Sequence, residues 1–197
     1  MFPLPPGTQM LLWMNVAAFL LDLFLGGRLS AELALWPLGS EAAGAPGFLP
    51  WQLLTYSFFH EGFFHIFLNM LGLAMFGSDI ERVWGRSRFL TYYFACVVSA
   101  GITQLIFTAV TGTFGPTVGA SGGVFGLLLA FALLFPRRTV VLLIPPIPMP
   151  AWLFVTIFGC IELYEGFMGT QAGVAHFAHL GGMLGGWLMI RYGRARR

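Results

Sequence analysis

Six runs of apolar residues, separated by short polar or Gly/Pro-rich stretches, dominate the chain: roughly Thr8 to Leu25, Gly62 to Gly77, Phe89 to Val110, Ser121 to Phe135, Ala151 to Tyr164 and Ala175 to Tyr192. Their length and scarcity of charge predict membrane-spanning helices. Several fall short of the ~20 residues of a full span, so their ends must lean on flanking segments. Nothing between them reads as a strand. Six helices leave little chain over, and the expected organisation is one membrane domain over residues 1–197 without a soluble accessory domain. The first run has no basic segment before it and no small-residue cleavage site after it, and reads as a retained helix.

Composition strengthens this picture. Hydrophobic residues make up 57% and charged residues 9% of the 197, with a mean hydropathy of +0.80; a soluble domain is normally about a quarter charged. All the basic residues are arginine, and their placement is one-sided. Arg82, Arg86 and Arg88 follow the second span, Arg137 and Arg138 the fourth, and Arg191, Arg194, Arg196 and Arg197 the sixth, with only Arg28 on the opposite parity. The positive-inside rule then puts both termini in the cytoplasm and the loops before Ser121 and His176 outside. The net charge of +2 is a topology signal and implies no nucleic-acid surface. Cys96 and Cys160 each fall inside a predicted helix, indicating neither a disulfide nor a metal pair.

The arginines and Asp79 also serve as a ruler, because a helix rises about 1.5 Å per residue. Ser121 lies about 24 Å from Arg137, His179 about 18 Å from Arg191, and His65 and Asn69 about 21 and 15 Å from Asp79. All four polar residues fall in one broad layer, below the outer edge of a hydrocarbon core about 30 Å thick. The fourth helix is short, so the segment Thr111 to Val118 is expected to dip into the membrane, which requires protein or water around its backbone. Gly122, Gly126 and Ala130 recur every four positions, as do Ala178, Gly182 and Gly186. Such stripes let helix backbones approach closely in lipid. They would bring the Ser121 hydroxyl to the His179 imidazole.

A serine hydroxyl becomes a nucleophile when a base lies within hydrogen-bond reach. His179 is the placed candidate, whereas His176, one turn nearer the outer surface, reads as structural. No acid occurs in the sixth helix, and Glu162 and Glu165 read as too shallow in the fifth. The expectation is therefore a Ser-His dyad without the usual carboxylate. Donors for an oxyanion are the Ser121 backbone N–H at a helix start and the side chains of His65 and Asn69, which share a helix face. Taken by themselves, His65 and Asn69 serve equally as hydrogen-bonding glue between helices.

Gly119-Ala120-Ser121-Gly122, Ala178-His179-Leu180-Gly181-Gly182, His65-Ile66-Phe67-Leu68-Asn69, and the stretch Trp51 to Gly77 with Glu81 beyond it resemble the rhomboid intramembrane serine proteases, over nearly all six helices. The resemblance implies an all-α polytopic membrane protein: a six-transmembrane-helix core with a partly embedded first outer loop. It implies Ser121 as nucleophile and His179 as general base, an oxyanion hole of His65, Asn69 and the Ser121 amide, and supporting roles for Gly119, Gly122 and Phe125, the last stacking near His179. His60 and Glu81 match positions of structural hydrogen bonding. Trp51-Gln52 departs from the family's frequent Trp-Arg, at a loop-anchoring position.

The implied substrates are single-span membrane proteins, cut near the outer end of their transmembrane segment, with the lipid bilayer as surroundings and no metal or cofactor. A bacterial inner membrane is the expected location. Phe167 and Met168 suggest a lid in loop five, with the fifth helix as a side entrance. Three other readings compete. A catalytically inactive rhomboid-like scaffold or a transporter would use the same glycines and polar groups. The pattern Gly119-x-Ser121-x-Gly123 fits a nucleophile elbow, which requires a preceding strand. His60, His65, His176 and His179 could serve haem or metal, but their spacing matches no compact ligand motif.

Overall fold

The computed structural model describes residues 3–142, 145–168 and 175–193 and is mostly helical. Among the described residues, four helices are long and apolar enough to cross a membrane: α1 (Pro6–Phe24), α2 (Phe63–Trp84), α3 (Arg86–Thr111) and α5 (Ala151–Met168). Two shorter helices, α4 (Ser121–Leu134) and α6 (His176–Tyr192), pack beside them. The large apolar side chains on the outside, such as Phe24 at 86% and Val110 at 81% exposure, are what a bilayer-facing surface requires.

Local chemistry marks the helix boundaries. Pro5 precedes α1, and Pro6 opens it without sacrificing an intrahelical hydrogen bond. Glu81 of α2 caps the same end: one carboxylate oxygen accepts the Gly7 N–H at 2.7 Å, the other the N–H and hydroxyl of Thr8 at 2.6 and 2.8 Å. Helix α3 ends at Gly112, whose φ of 69° suits glycine. Helix α2 contains a π-helical turn over Leu73–Gly77, and α5 runs to Met168, beyond the expected end at Tyr164.

Helix α6 packs between α3 and α4, and small residues make this possible. A Cβ at Gly182 would run into the backbone of Gly122, and one at Gly181 or Gly185 into Thr103 or Ser99 of α3. The two stripes therefore meet backbone to backbone. Polar tethers lie beside them: the Tyr92 hydroxyl donates to the Gly126 carbonyl at 2.7 Å, and the Ser99 hydroxyl to the Gly181 carbonyl at 2.8 Å.

The connection from α1 to α2 holds short helical pieces fastened by buried polar groups. Gln52, fully buried, accepts from the Trp36 N–H and donates to the carbonyls of Glu32 and Gly47. It anchors the loop at the position where the family often has arginine. Leu35 forms an antiparallel bridge with Thr117, and the Gly119 N–H donates to the Tyr56 carbonyl, so this loop holds the backbone leading to Ser121. Contrary to the expectation of no strands, β1 (Thr139–Val141) and β2 (Pro148–Pro150) form a small antiparallel hairpin between α4 and α5. Its length of three residues per strand is too short to leave a periodic signal in the sequence. Phe167 and Met168 belong to the last turn of α5; residues 169–174 of the suggested lid lie outside the described residues.

Candidate active site

Ser121 is the first residue of α4, where the amides of the opening turn lack helical acceptors; the first such bond is from Val124 to Ala120. The turn before it needs a glycine. Gly119 has a φ of 131°, and a Cβ there would sit 2.8 Å from His65 Nε2. His65 is thereby packed against the segment carrying the serine.

The Ser121 hydroxyl lies 2.7 Å from His179 Nε2, and His179 Nδ1 lies 2.7 Å from Glu162 Oε2. His176 Nδ1 approaches the same carboxylate oxygen at 2.8 Å. An ionised carboxylate only accepts, so both Nδ1–H groups donate to it, and His179 Nε2 is left to accept from the serine hydroxyl. The Phe125 ring stacks on the His179 imidazole, with centroids 4.3 Å apart and planes 6° from parallel. Glu162, His176 and His179 are buried, while Ser121 is half-buried.

The expectation that Glu162 is too shallow to join the histidine is corrected here: its carboxylate stands behind His179. The physical reason is helix length. Because α5 continues to Met168, Glu162 lies about 9 Å inside its end rather than at the edge. His176, expected to be structural, shares that carboxylate. The signal that could have found Glu162 is the pairing of a carboxylate inside a span with an i, i+3 pair of histidines on the next helix.

His65 is half-buried beside Gly119, and Asn69 is buried one turn along, its side-chain amide donating to the His65 carbonyl at 3.0 Å. His60 stands edge-on to His65, with ring centroids 5.0 Å apart. Instead of the hydrogen bonding implied for it, His60 has no partner for either ring nitrogen among the described residues. Burial pushes this imidazole down to about 3, which keeps it neutral. The ligand atoms of Glu162, His176 and His179 lie within 4.8 Å of one another, close enough for a divalent ion. The 2.7 and 2.8 Å separations are nevertheless hydrogen-bond lengths, and they join the two Nδ1 atoms to one carboxylate oxygen with no room for an ion between them.

A membrane-type helical protein in which a half-buried serine meets a buried imidazole backed by a buried carboxylate defines the class. Comparison with known proteins gives the family: the pattern described as Rhomboid domain matches residues 48–196, and the chain belongs to the rhomboid family. It is 31% identical over 140 residues to Rhomboid protein 1, mitochondrial, of Saccharomyces cerevisiae, covering 70% of this chain and 40% of the relative. It is 32% identical over 155 residues to Presenilin-associated rhomboid-like protein A, mitochondrial, of Danio rerio, covering 78% and 40%. Identity to Rhomboid protease GluP of Bacillus subtilis is 30% over 139 residues, covering 70% and 25%. The chain thus spans less than half the length of these relatives. Two are mitochondrial and one is bacterial, so they carry no preference for a bacterial inner membrane.

Proposed function

We propose that this protein is an intramembrane serine endopeptidase, a single six-helix unit in which Ser121 is the nucleophile and His179 the general base. The observation that carries this reading is the 2.7 Å contact between the serine hydroxyl and His179 Nε2 at the glycine-lined meeting of α4 and α6. The family and its named protease member support it. As Ser121 Oγ bonds to the carbonyl carbon of the scissile peptide, its proton passes to His179 Nε2 and the carbonyl π pair moves onto oxygen. Collapse of that intermediate breaks the C–N bond, and His179 returns the proton to the leaving amine. Water then repeats the sequence on the acyl-enzyme, releasing the acid and restoring Ser121.

The oxyanion needs donors fixed in advance. The free Ser121 amide at the start of α4 is one, and His65 and Asn69 are the other two that we assign. Substrates are single-span membrane proteins, whose helix must unwind locally because its own hydrogen bonds shield the peptide bond. The arginine distribution supports cleavage on the side opposite the arginine-rich loops. The test is reconstitution of the protein in lipid vesicles with a single-span substrate and a fluorophosphonate probe. Wild type is expected to cleave and to be labelled, with Ser121→Ala losing labelling and lowering cleavage by about 10⁶-fold. Undiminished cleavage by a folded Ser121→Ala variant would refute the assignment.

A further inference from the structure

Glu162 is a carboxylate inside an apolar helix, and such a group is costly there unless it is paired and hydrogen-bonded. Helix α5 presents it to α6, where two imidazoles point the same ring nitrogen, Nδ1, at the same oxygen, at 2.7 Å from His179 and 2.8 Å from His176. A bond needed only to fasten two helices could be made by a neutral amide. A carboxylate adds two properties: it cannot donate, and it carries charge. The first excludes the tautomer with Nδ1 bare, so His179 keeps its Nε2 lone pair toward Ser121. The second stabilises the imidazolium that forms once the serine proton has moved.

We infer that Glu162 is a positioning residue for His179, making the Ser121–His179 pair the reactive end of a Ser-His-Glu relay of contacts, with His176 holding the carboxylate in its seat. No proton reaches Glu162 in this scheme; it stays ionised while His179 gains and returns the serine proton. The other faces of His179 are also fixed, since Phe125 stacks on its ring and Ser121 meets Nε2. Rotation of the imidazole away from the serine would break all three contacts. This inference rests on the protease reading, and its test separates the two.

The decisive variant is Glu162→Gln, which keeps the size and a hydrogen bond but loses the charge and can present an N–H to Nδ1. With the reconstituted protein, kcat is expected to fall by about 10²- to 10⁴-fold. KM should stay within about twofold of wild type and the thermal midpoint should hold, as for an interaction that acts on the transition state. Glu162→Asp, retaining the charge, should recover part of the loss. A wild-type kcat in Glu162→Gln would overturn the inference, and so would loss of activity only in step with loss of folded protein, with Asp no better than Gln. A second measurement needs no variant at position 162: nitrogen-15 NMR of labelled histidines, assigned with His179→Ala, should find His179 protonated on Nδ1 and bare on Nε2 in the resting protein. The opposite tautomer would refute the proposal. If Ser121→Ala still cleaves, the protease reading fails; if Ser121→Ala is dead and Glu162→Gln is fully active, only the role of Glu162 fails.

Discussion

Two buried carboxylates sit near opposite ends of the helical framework, and their partners differ in kind. Glu81, on the last turns of α2, accepts from the Gly7 and Thr8 amides and the Thr8 hydroxyl. Glu162 accepts from two imidazoles. Backbone amides do not titrate, and at the start of α1 they add the favourable end of the helix dipole. The Glu81 site can therefore only hold structure, and Gly7 lets it close, since a Cβ there would sit 2.8 Å from the carboxylate. An imidazole, by contrast, can exchange a proton with a third group, which for His179 is the Ser121 hydroxyl. Equal burial thus says little about a charged residue in a membrane protein. What separates scaffold from chemistry is whether its partner can change protonation state.

The contrast can be broken experimentally, beginning with the largest effect. Asn69 tests the contrast most sharply, because its amide donates to its own helix at the His65 carbonyl. As an oxyanion donor, its replacement in Asn69→Ala should lower kcat by about 10²- to 10³-fold, or ~2.7–4 kcal/mol of transition-state stabilisation, at an unchanged thermal midpoint. A fall in midpoint with kcat intact would move Asn69 into the structural class with Glu81. Next, Glu81→Gln should cost about 1–3 kcal/mol of stability, read from denaturant unfolding in micelles, while kcat per folded molecule stays at the wild-type value. A kcat loss larger than the loss of folded protein would show that the two ends are coupled. The smallest effect belongs to Thr8→Val, which removes the hydroxyl bond and leaves the backbone ones. About 0.5–1.5 kcal/mol is expected in the same assay, and a cost equal to that of Glu81→Gln would mean that the hydroxyl dominates the cap.

Much of the framework can be read from hydropathy, because runs of apolar residues ended by Pro, Gly and Arg leave few alternatives. The expected run Ser121 to Phe135 and the observed helix Ser121–Leu134 differ by one residue. The loop between α1 and α2 is another matter. Its order depends on Gln52 reaching Trp36, Glu32 and Gly47, contacts with no periodicity. For the site, the glycine stripes predict the contact of α4 with α6 and so the meeting of Ser121 with His179. Glu162 escapes such a reading because the apolar run stops at Tyr164 and puts it at the helix edge, whereas Glu165 and Gly166 are carried inside a helix that goes on to Met168. A hydropathy window ends where charge appears; a helix ends where its hydrogen bonds do.

The bridge between Leu35 and Thr117 has a consequence for how the protein comes to be folded. It joins the connection before the second span to the one after the third, and Ser121 meets His179 only across 58 residues of sequence. Contacts of such separation form late, since the chain between their ends must be ordered first. A growing chain that has inserted its first five helices would hold the serine but no base. On the protease reading, a chain that holds α4 but not yet α6 is inert, and the docking of α6 arms it.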